Sequence, residues 1–298
     1  MKKVCIVYDN KLGGRNDGTA FLCWNALRKI SKREAKYVSN EHEKFELKFY
    51  LPPDGISSPK EELKWGDYNL TVDWGADCFN CDTYVPPSPN AVYWVDSHLG
   101  KEYRIKEGLK FDKVYLAQLN DVEVFKQAGC KDVEWLPLAA EPDLWRPVPQ
   151  VKHYDVAFIG FLNCEKRMDY LERLFKAFPE FFYGVRFFDP ANEIFNQSKL
   201  LFNISIKDDV NMRFFEAMST GVPLLTNRIY NNGMETLATE GEHYIGYSNE
   251  DEMISQAKWI LDNYEKAKQI GESAAAHIRS TATYEHRMKK VLEKGGIL

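Results

Sequence analysis

Residues 200–226 read LLFNISIKDDVNMRFFEAMSTGVPLLT, an apolar run, a loop, an amphipathic stretch and a second apolar run. Leu200–Ile206 and Val222–Thr226 are short and rich in branched or aromatic residues, as buried strands are. Asn211–Thr220 between them has helical spacing, and Gly221 supplies the left-handed residue that ends a helix. A strand, a helix and a strand in this order make a parallel pair with a crossover. The same alternation extends in both directions, so the chain is expected to be α/β with parallel sheets.

Toward the N-terminus of that stretch, Asp155–Ile159 is a buried strand entering a turn at Gly160, and a helix runs through Met168–Phe178 until Pro179. Pro147 and Pro149 interrupt the pattern, so a change of domain is expected near Arg146–Lys152. Before it, strands fit Val4–Tyr8, Phe45–Leu51, Tyr68–Val72, Ala91–Val95, Lys113–Leu116 and Val133–Leu138. Helices fit Thr19–Ile30 and Asp121–Gly129, the latter capped by Asp121. After it, helices follow around Met253–Leu261, Tyr264–Ile278 and Thr283–Glu293. The expectation is two doubly wound, Rossmann-like domains, 1–148 and 149–298, facing a central cleft, with the last helix able to pack back on the first domain.

Composition agrees with a large globular core. The chain has 298 residues, 44% hydrophobic and 28% charged, enough for two domains of ordinary size. A formal net charge of -5 gives no general attraction to nucleic acid or anionic membrane. No apolar stretch is long enough for a membrane span, and the N-terminal run is shorter than a signal peptide's, so the cytoplasm is expected. Among six cysteines only Cys78 and Cys81 have C-x-x-C spacing, without a second pair, so no metal site is expected.

Three places carry polar groups suited to chemistry. The loop containing Gly13, Gly14 and Gly18 lies between a strand and a helix, where backbone N–H groups can approach an anion; a tight turn is the other reading. Its spacing is not G-x-G-x-x-G, which argues against a dinucleotide dehydrogenase. Asp96 and His98 follow an apolar strand, at the sheet edge where ligands bind in open α/β folds; they could handle an acceptor proton, or merely form a turn. Glu216, set among Phe214, Phe215, Ala217 and Met218, must either pair with a cation such as Arg213 or face polar ligand groups such as ribose hydroxyls. Asp208 and Asp209 precede that helix as caps, and Asn211, Met212 and Arg213 offer first-turn amides to an anion.

Residues 211–227, NMRFFEAMSTGVPLLTN, resemble the donor-site motif of glycosyltransferases with two Rossmann-like domains (the GT-B fold), especially the CgeB-like spore-maturation group related to retaining family 4. Residues 133–147, VEWLPLAAEPDLWRP, resemble the end of that group's first domain, and residues 154–167, YDVAFIGFLNCEKR, the start of its second. Residues 68–77, YNLTVDWGAD, and 91–100, AVYWVDSHLG, are similar to its N-terminal strands. The resemblance implies transfer of a sugar from a UDP- or GDP-sugar to an acceptor hydroxyl, with retention, without metal, and with no cofactor beyond the nucleotide sugar. It makes Glu216 the ribose ligand and Asp208 the counterpart of a glutamate eight residues earlier. It also assigns the diphosphate to Lys166 or Arg167, with Gly160 in the turn before them and Lys199 as a second candidate. The acceptor is left open among saccharide, protein and small molecule, with nucleic acid less favoured by charge, and so is the oligomeric state. A nucleotide-sugar epimerase of the same fold, or a binding module without turnover, are the competing readings.

Overall fold

The computed structural model describes residues 2–9, 19–37, 45–50, 68–73, 85–162 and 164–298. Gly13, Gly14, Gly18, Cys78 and Cys81 lie outside these residues. The described chain divides into two compact units, one formed by Met1–Pro137 with Tyr284–Leu298 and the other by Leu138–Thr283. The break falls at Pro137, ahead of the prolines that suggest it in the sequence. Arg146 and Val148 are already tied into the second unit, their amides donating to the Asn192 and Asn196 side chains at 3.1 and 2.8 Å.

In the first unit, β1 (Lys2–Asp9), β2 (Phe45–Tyr50), β3 (Tyr68–Asp73), β4 (Asn90–Trp94), β5 (Lys113–Leu116) and β6 (Val133–Trp135) form one parallel sheet in the order β2-β1-β3-β4-β5-β6. Helices α1 (Thr19–Tyr37), α2 (Lys101–Gly108) and α3 (Leu119–Gln127) connect them. Val92, Trp94, Val114, Leu116 and Phe125 fill the space under α3. The C-terminal helix α10 (Tyr284–Lys294) packs on α1, and the Arg287 guanidinium donates to the Pro137 carbonyl at 2.9 Å. Asp121 does not cap α3 as its position in the sequence suggests. It is wholly buried, takes a 2.7 Å hydrogen bond from Ser97 and pairs with Lys101 at 2.6 Å.

The second unit repeats the plan with β7 (Tyr154–Ile159), β8 (Phe181–Gly184), β9 (Ser198–Asn203), β10 (Leu224–Asn227) and β11 (Ile245–Tyr247), all parallel, in the order β11-β10-β9-β7-β8. Its helices are α4 (Glu165–Ala177), α5 (Phe188–Asn196), α6 (Met212–Ser219), α7 (Met234–Leu237), α8 (Glu250–Asp262) and α9 (Tyr264–Thr281). Val156, Phe158, Leu174, Leu200, Phe202, Leu225, Tyr247 and Met253 form one core against the α4 and α8 side of the sheet. Both sheets are doubly wound, so the α/β, two-Rossmann architecture expected from the sequence is what the chain adopts. No helix among the described residues is long and apolar enough to cross a membrane.

On the opposite side α6 packs against α9, and two glycines allow it. Gly221 adopts φ 76° just beyond α6, and Gly271 of α9 sits directly over its carbonyl. A Cβ at Gly271 would collide with the Gly221 carbonyl oxygen and stand 2.9 Å from the Pro223 nitrogen. Gly271→Ala is therefore expected to destabilise the protein by about 1–3 kcal/mol in chemical denaturation. Helix propensity alone predicts the opposite sign, by about 1 kcal/mol, so a stabilised variant would show that the two helices do not touch there.

Candidate functional site

The strand order fixes where a ligand can enter the second unit. From β7 the chain winds one way to β8 and the other way to β9, so the crevice of an open sheet lies outside the carboxyl ends of β7 and β9. β7 runs out into Gly160, Phe161 and then α4, and β9 runs out into Ser205, Asp208, Asp209 and then α6.

This edge is built from small polar side chains that hold the loops in place. Asn227, at the end of β10, accepts from the Ser205 amide at 2.8 Å and returns its own N–H to the Ser205 carbonyl at 3.3 Å. The Ser205 hydroxyl donates to Asp209 at 2.6 Å, and Asn232 donates to the Asp208 carbonyl at 2.8 Å. Asp208 itself is exposed and takes a left-handed backbone, φ 54°. Asn203, at the end of β9, donates to Thr226 at 3.1 Å and accepts from Asn211 at 3.3 Å. Asn211, rather than an aspartate, is the N-cap of α6, its side chain accepting from the Phe214 amide at 3.1 Å. The first-turn amides of Met212 and Arg213 face off the end of the helix, where the dipole favours negative charge.

Arg167 approaches the same edge from α4. Its guanidinium donates to the Phe161 carbonyl at 2.7 Å and lies 5.7 Å from the Phe158 ring centroid. Burial pushes its pKa down, and the nearby Asp209 carboxylate opposes that shift. Lys166, beside it, is exposed. The amide of Gly160 donates to the Gly184 carbonyl at 2.9 Å, and a Cβ there would stand 2.8 Å from the Phe158 ring. Thus Gly160, Arg167, Asp208, Asn211, Met212 and Arg213 all lie on elements that meet at the carboxyl edge of β7 and β9.

Lys199 does not. It is the second residue of β9, at the other end of the strand, and its ammonium pairs with Asp155 near the start of β7 at 2.8 Å. It stands on the amino edge, a full strand away from the diphosphate position suggested by the sequence.

Glu216 is the least ordinary group. It is only 7% exposed on a helix whose neighbouring residues are apolar and buried, and Arg213 contacts its Oε2 at 2.7 Å. Burial pushes the Glu216 carboxyl's pKa up, with the Arg213 charge working against it. The guanidinium lies beside a pair of aromatic rings that contact each other, 5.6 Å from Trp145 and 5.4 Å from Phe195. Trp145, which the sequence leaves without a role, is therefore the wall against which the ion pair is held; its carbonyl also accepts from Ser219 at 2.5 Å.

In the first unit, Asp96–Gly100 is a turn at the carboxyl end of β4, with the Leu99 amide donating to the Asp96 carbonyl at 3.0 Å. Asp96 and His98 are both half-buried. Gly100, not Asp96 or Ser97, is the N-cap of α2.

A family model described as Glycosyl transferase-like matches residues 156–293, which contain all of the edge just described. No curated protein sequence matches the chain. Among solved structures, Anabaena HepE in complex with UDP and glucose superposes with a TM-score of 0.69 at 12% identity, covering 100% of each chain. Sucrose-phosphate synthase from Thermosynechococcus elongatus gives 0.61 at 9% identity, covering 98% of each. A glycosyltransferase from Rickettsia africae gives 0.56 at 10% identity, covering 99% of this chain and 98% of that one. At these identities the likeness is one of fold: the two-Rossmann fold called GT-B.

The ion pair gives a stability prediction. Removing Arg213 leaves a buried carboxylate without its partner, so Arg213→Ala is expected to lose about 3 kcal/mol at pH 8. The loss should be smaller at pH 5, where Glu216, its pKa raised, takes up a proton in the variant. Equal losses at both pH values in urea titrations would show that the charge of Glu216 is not what Arg213 answers.

Proposed function

We propose that this chain is a glycosyltransferase that moves a sugar from a UDP- or GDP-sugar, held at the carboxyl edge of β7 and β9, to a hydroxyl acceptor. The observation that carries the reading is the buried Glu216 carboxylate on α6, within the residues that the Glycosyl transferase-like family model matches, next to a helix N-terminus and a guanidinium. A nucleoside diphosphate needs three things: an acceptor for ribose hydroxyls, compensation for diphosphate charge, and room for the sugar.

Glu216, paired through Oε2 with Arg213, has acceptor lone pairs beyond that contact, and these are assigned to the two ribose hydroxyls. Arg167, Lys166 and the amides of Met212 and Arg213 compensate the diphosphate, with Gly160 allowing close backbone approach. Asp208 lies near enough in the chain to reach the donor sugar, with a shorter arm than a glutamate. As the bond from the anomeric carbon to the diphosphate oxygen breaks, negative charge gathers on the leaving group. Arg167 and the α6 N-terminus stabilise that charge in place, and in a site of this kind such stabilisation lowers the barrier more than any other single effect. The acceptor oxygen forms its bond to the same face of the sugar, and its proton passes to the departing phosphate oxygen. This route retains configuration and asks for neither a metal nor a strong protein base. Asp96 and His98, at the corresponding edge of the first sheet, are proposed to meet the acceptor. The use of UDP in particular draws support from the HepE complex with UDP and glucose, which has the same fold.

Calorimetry in the presence of EDTA tests both halves of the donor assignment. UDP is expected to bind the wild-type protein without metal, and Glu216→Ala to raise the dissociation constant about tenfold or more, since hydrogen bonds to a charged group contribute about 1.5–3 kcal/mol. Glu216→Gln should fall between the two. Binding that needs added magnesium, or an unchanged constant in a folded Glu216→Ala protein, would contradict the assignment.

A further inference from the structure

The opposite edge of the second sheet holds a cavity that the proposed reaction does not use. Residues 147–152 precede β7, Asn196 precedes β9, and Val222 with Pro223 precede β10, so all three approach the sheet at its amino edge. Together with α9 they enclose about 560 Å³. Every residue lining it belongs to the second unit.

Its chemistry is uneven. The walls are apolar, with Pro147, Pro149, Val222, Pro223, Tyr264 and Ala275. Three of these are prolines, which have no N–H to offer an anion. Set into the walls are three cations, Lys152, Lys268 and Arg279, against one carboxylate, Glu272. Glu272 is 62% exposed at its side chain and reaches Lys268 only at 3.9 Å, a weak and solvated contact. Lys152 is held inward, its ammonium donating to the Asn196 carbonyl at 2.7 Å. The groove therefore has a surplus of two positive charges beside an apolar surface. Bringing like charges together in a partly desolvated groove is unfavourable unless something answers them.

We propose that this groove binds a phosphomonoester with an apolar or aromatic body, its dianionic head lying among Lys152, Lys268 and Arg279 and its body on Pro147, Pro223 and Tyr264. A dianion matches the surplus charge, and the prolines and tyrosine match the remainder of the ligand. The position is separate from the donor edge by the length of the strands. α6 connects the two places: its first turn faces the donor edge, and Thr220 and Gly221, which follow its last residue, line the groove. Burial and then the Lys268 charge push the Lys152 ammonium down to about 8, so part of it is neutral near physiological pH.

Pyridoxal 5′-phosphate followed by borohydride tests this with the intact protein, because the probe is itself an aromatic phosphomonoester. With its phosphate on Lys268 and Arg279, the neutral Lys152 amine adds to the aldehyde carbon and water leaves. Hydride from borohydride then fixes the imine as a secondary amine, and peptide mapping locates it. At pH 7.5 Lys152 is expected to be labelled at least about tenfold faster than Lys176 and Lys258, which are exposed and lie outside the groove. Phenyl phosphate should slow the labelling of Lys152 and leave the other two unchanged. Lys268→Ala, a change at a half-exposed side chain that leaves folding intact, should remove most of the preference. Labelling of Lys152 no faster than of Lys176 and Lys258, or a rate indifferent to phenyl phosphate or to Lys268→Ala, would overturn the proposal.

Discussion

The second unit depends on how α6 is held, because nearly all of that short helix is buried and it nevertheless carries both members of an ion pair. At its N-terminus the Asn211 side chain satisfies the Phe214 amide and donates to Asn203 on the neighbouring strand. Toward its C-terminus Ser219 donates to the Trp145 carbonyl, and Gly221 turns the chain away beneath Gly271. With both ends fixed, the helix cannot rotate to move Glu216 toward water. The carboxylate has to be answered where it stands, and Arg213, lying beside Trp145 and Phe195, answers it. A buried ion pair of this kind adds little to stability, and hydrophobic residues of the same shape would do as well or better. A ligand that hydrogen-bonds to Glu216 is the use proposed for the pair.

The polar side chains at the ends of β9 and β10 serve the same geometry. Asn203, Asn227 and Ser205 hold the loop leading to α6 in one conformation, so the helix N-terminus and the Asp209 carboxylate keep fixed positions relative to Arg167. Charge stabilisation in a reaction is effective only when the donors are already in place, since any reorganisation subtracts from it. A cap, a strand-end asparagine and a serine are thus as much a part of the proposed chemistry as the residues that would touch the donor.

Much of this was legible in the sequence, and the exceptions have physical causes. The strands from Val4–Tyr8 to Lys113–Leu116 and the helix Asn211–Thr220 follow from apolar period and from glycine, and the structure moves their ends by only a few residues. β8 and α5 escape the same reading. In the run FFYGVRFF, residues 181–188, only Phe181–Gly184 is strand, an edge strand whose aromatics are half-buried or exposed, so it lacks alternation, and Pro190 reads as a breaker although the first turn of a helix accepts it. Lys199 and Asp121 mislead because a charge beside a strand or helix boundary looks functional or capping in one dimension. In three dimensions each is consumed by a partner from another segment, Asp155 for Lys199, and Ser97 with Lys101 for Asp121. Asn203 and Asn227 could have been singled out by one signal, an asparagine closing an apolar strand at the carboxyl edge, where a strand-end side chain faces the ligand crevice.

The central claim is that a nucleoside diphosphate binds where β7 and β9 end. Amide hydrogen exchange of the whole protein with and without saturating UDP measures this most directly. The account predicts slowed exchange in residues 160–168 and 203–216, with peptides from residues 264–279 on the opposite edge unchanged. Saturating UDP that leaves residues 203–216 exchanging at their unliganded rate would contradict it.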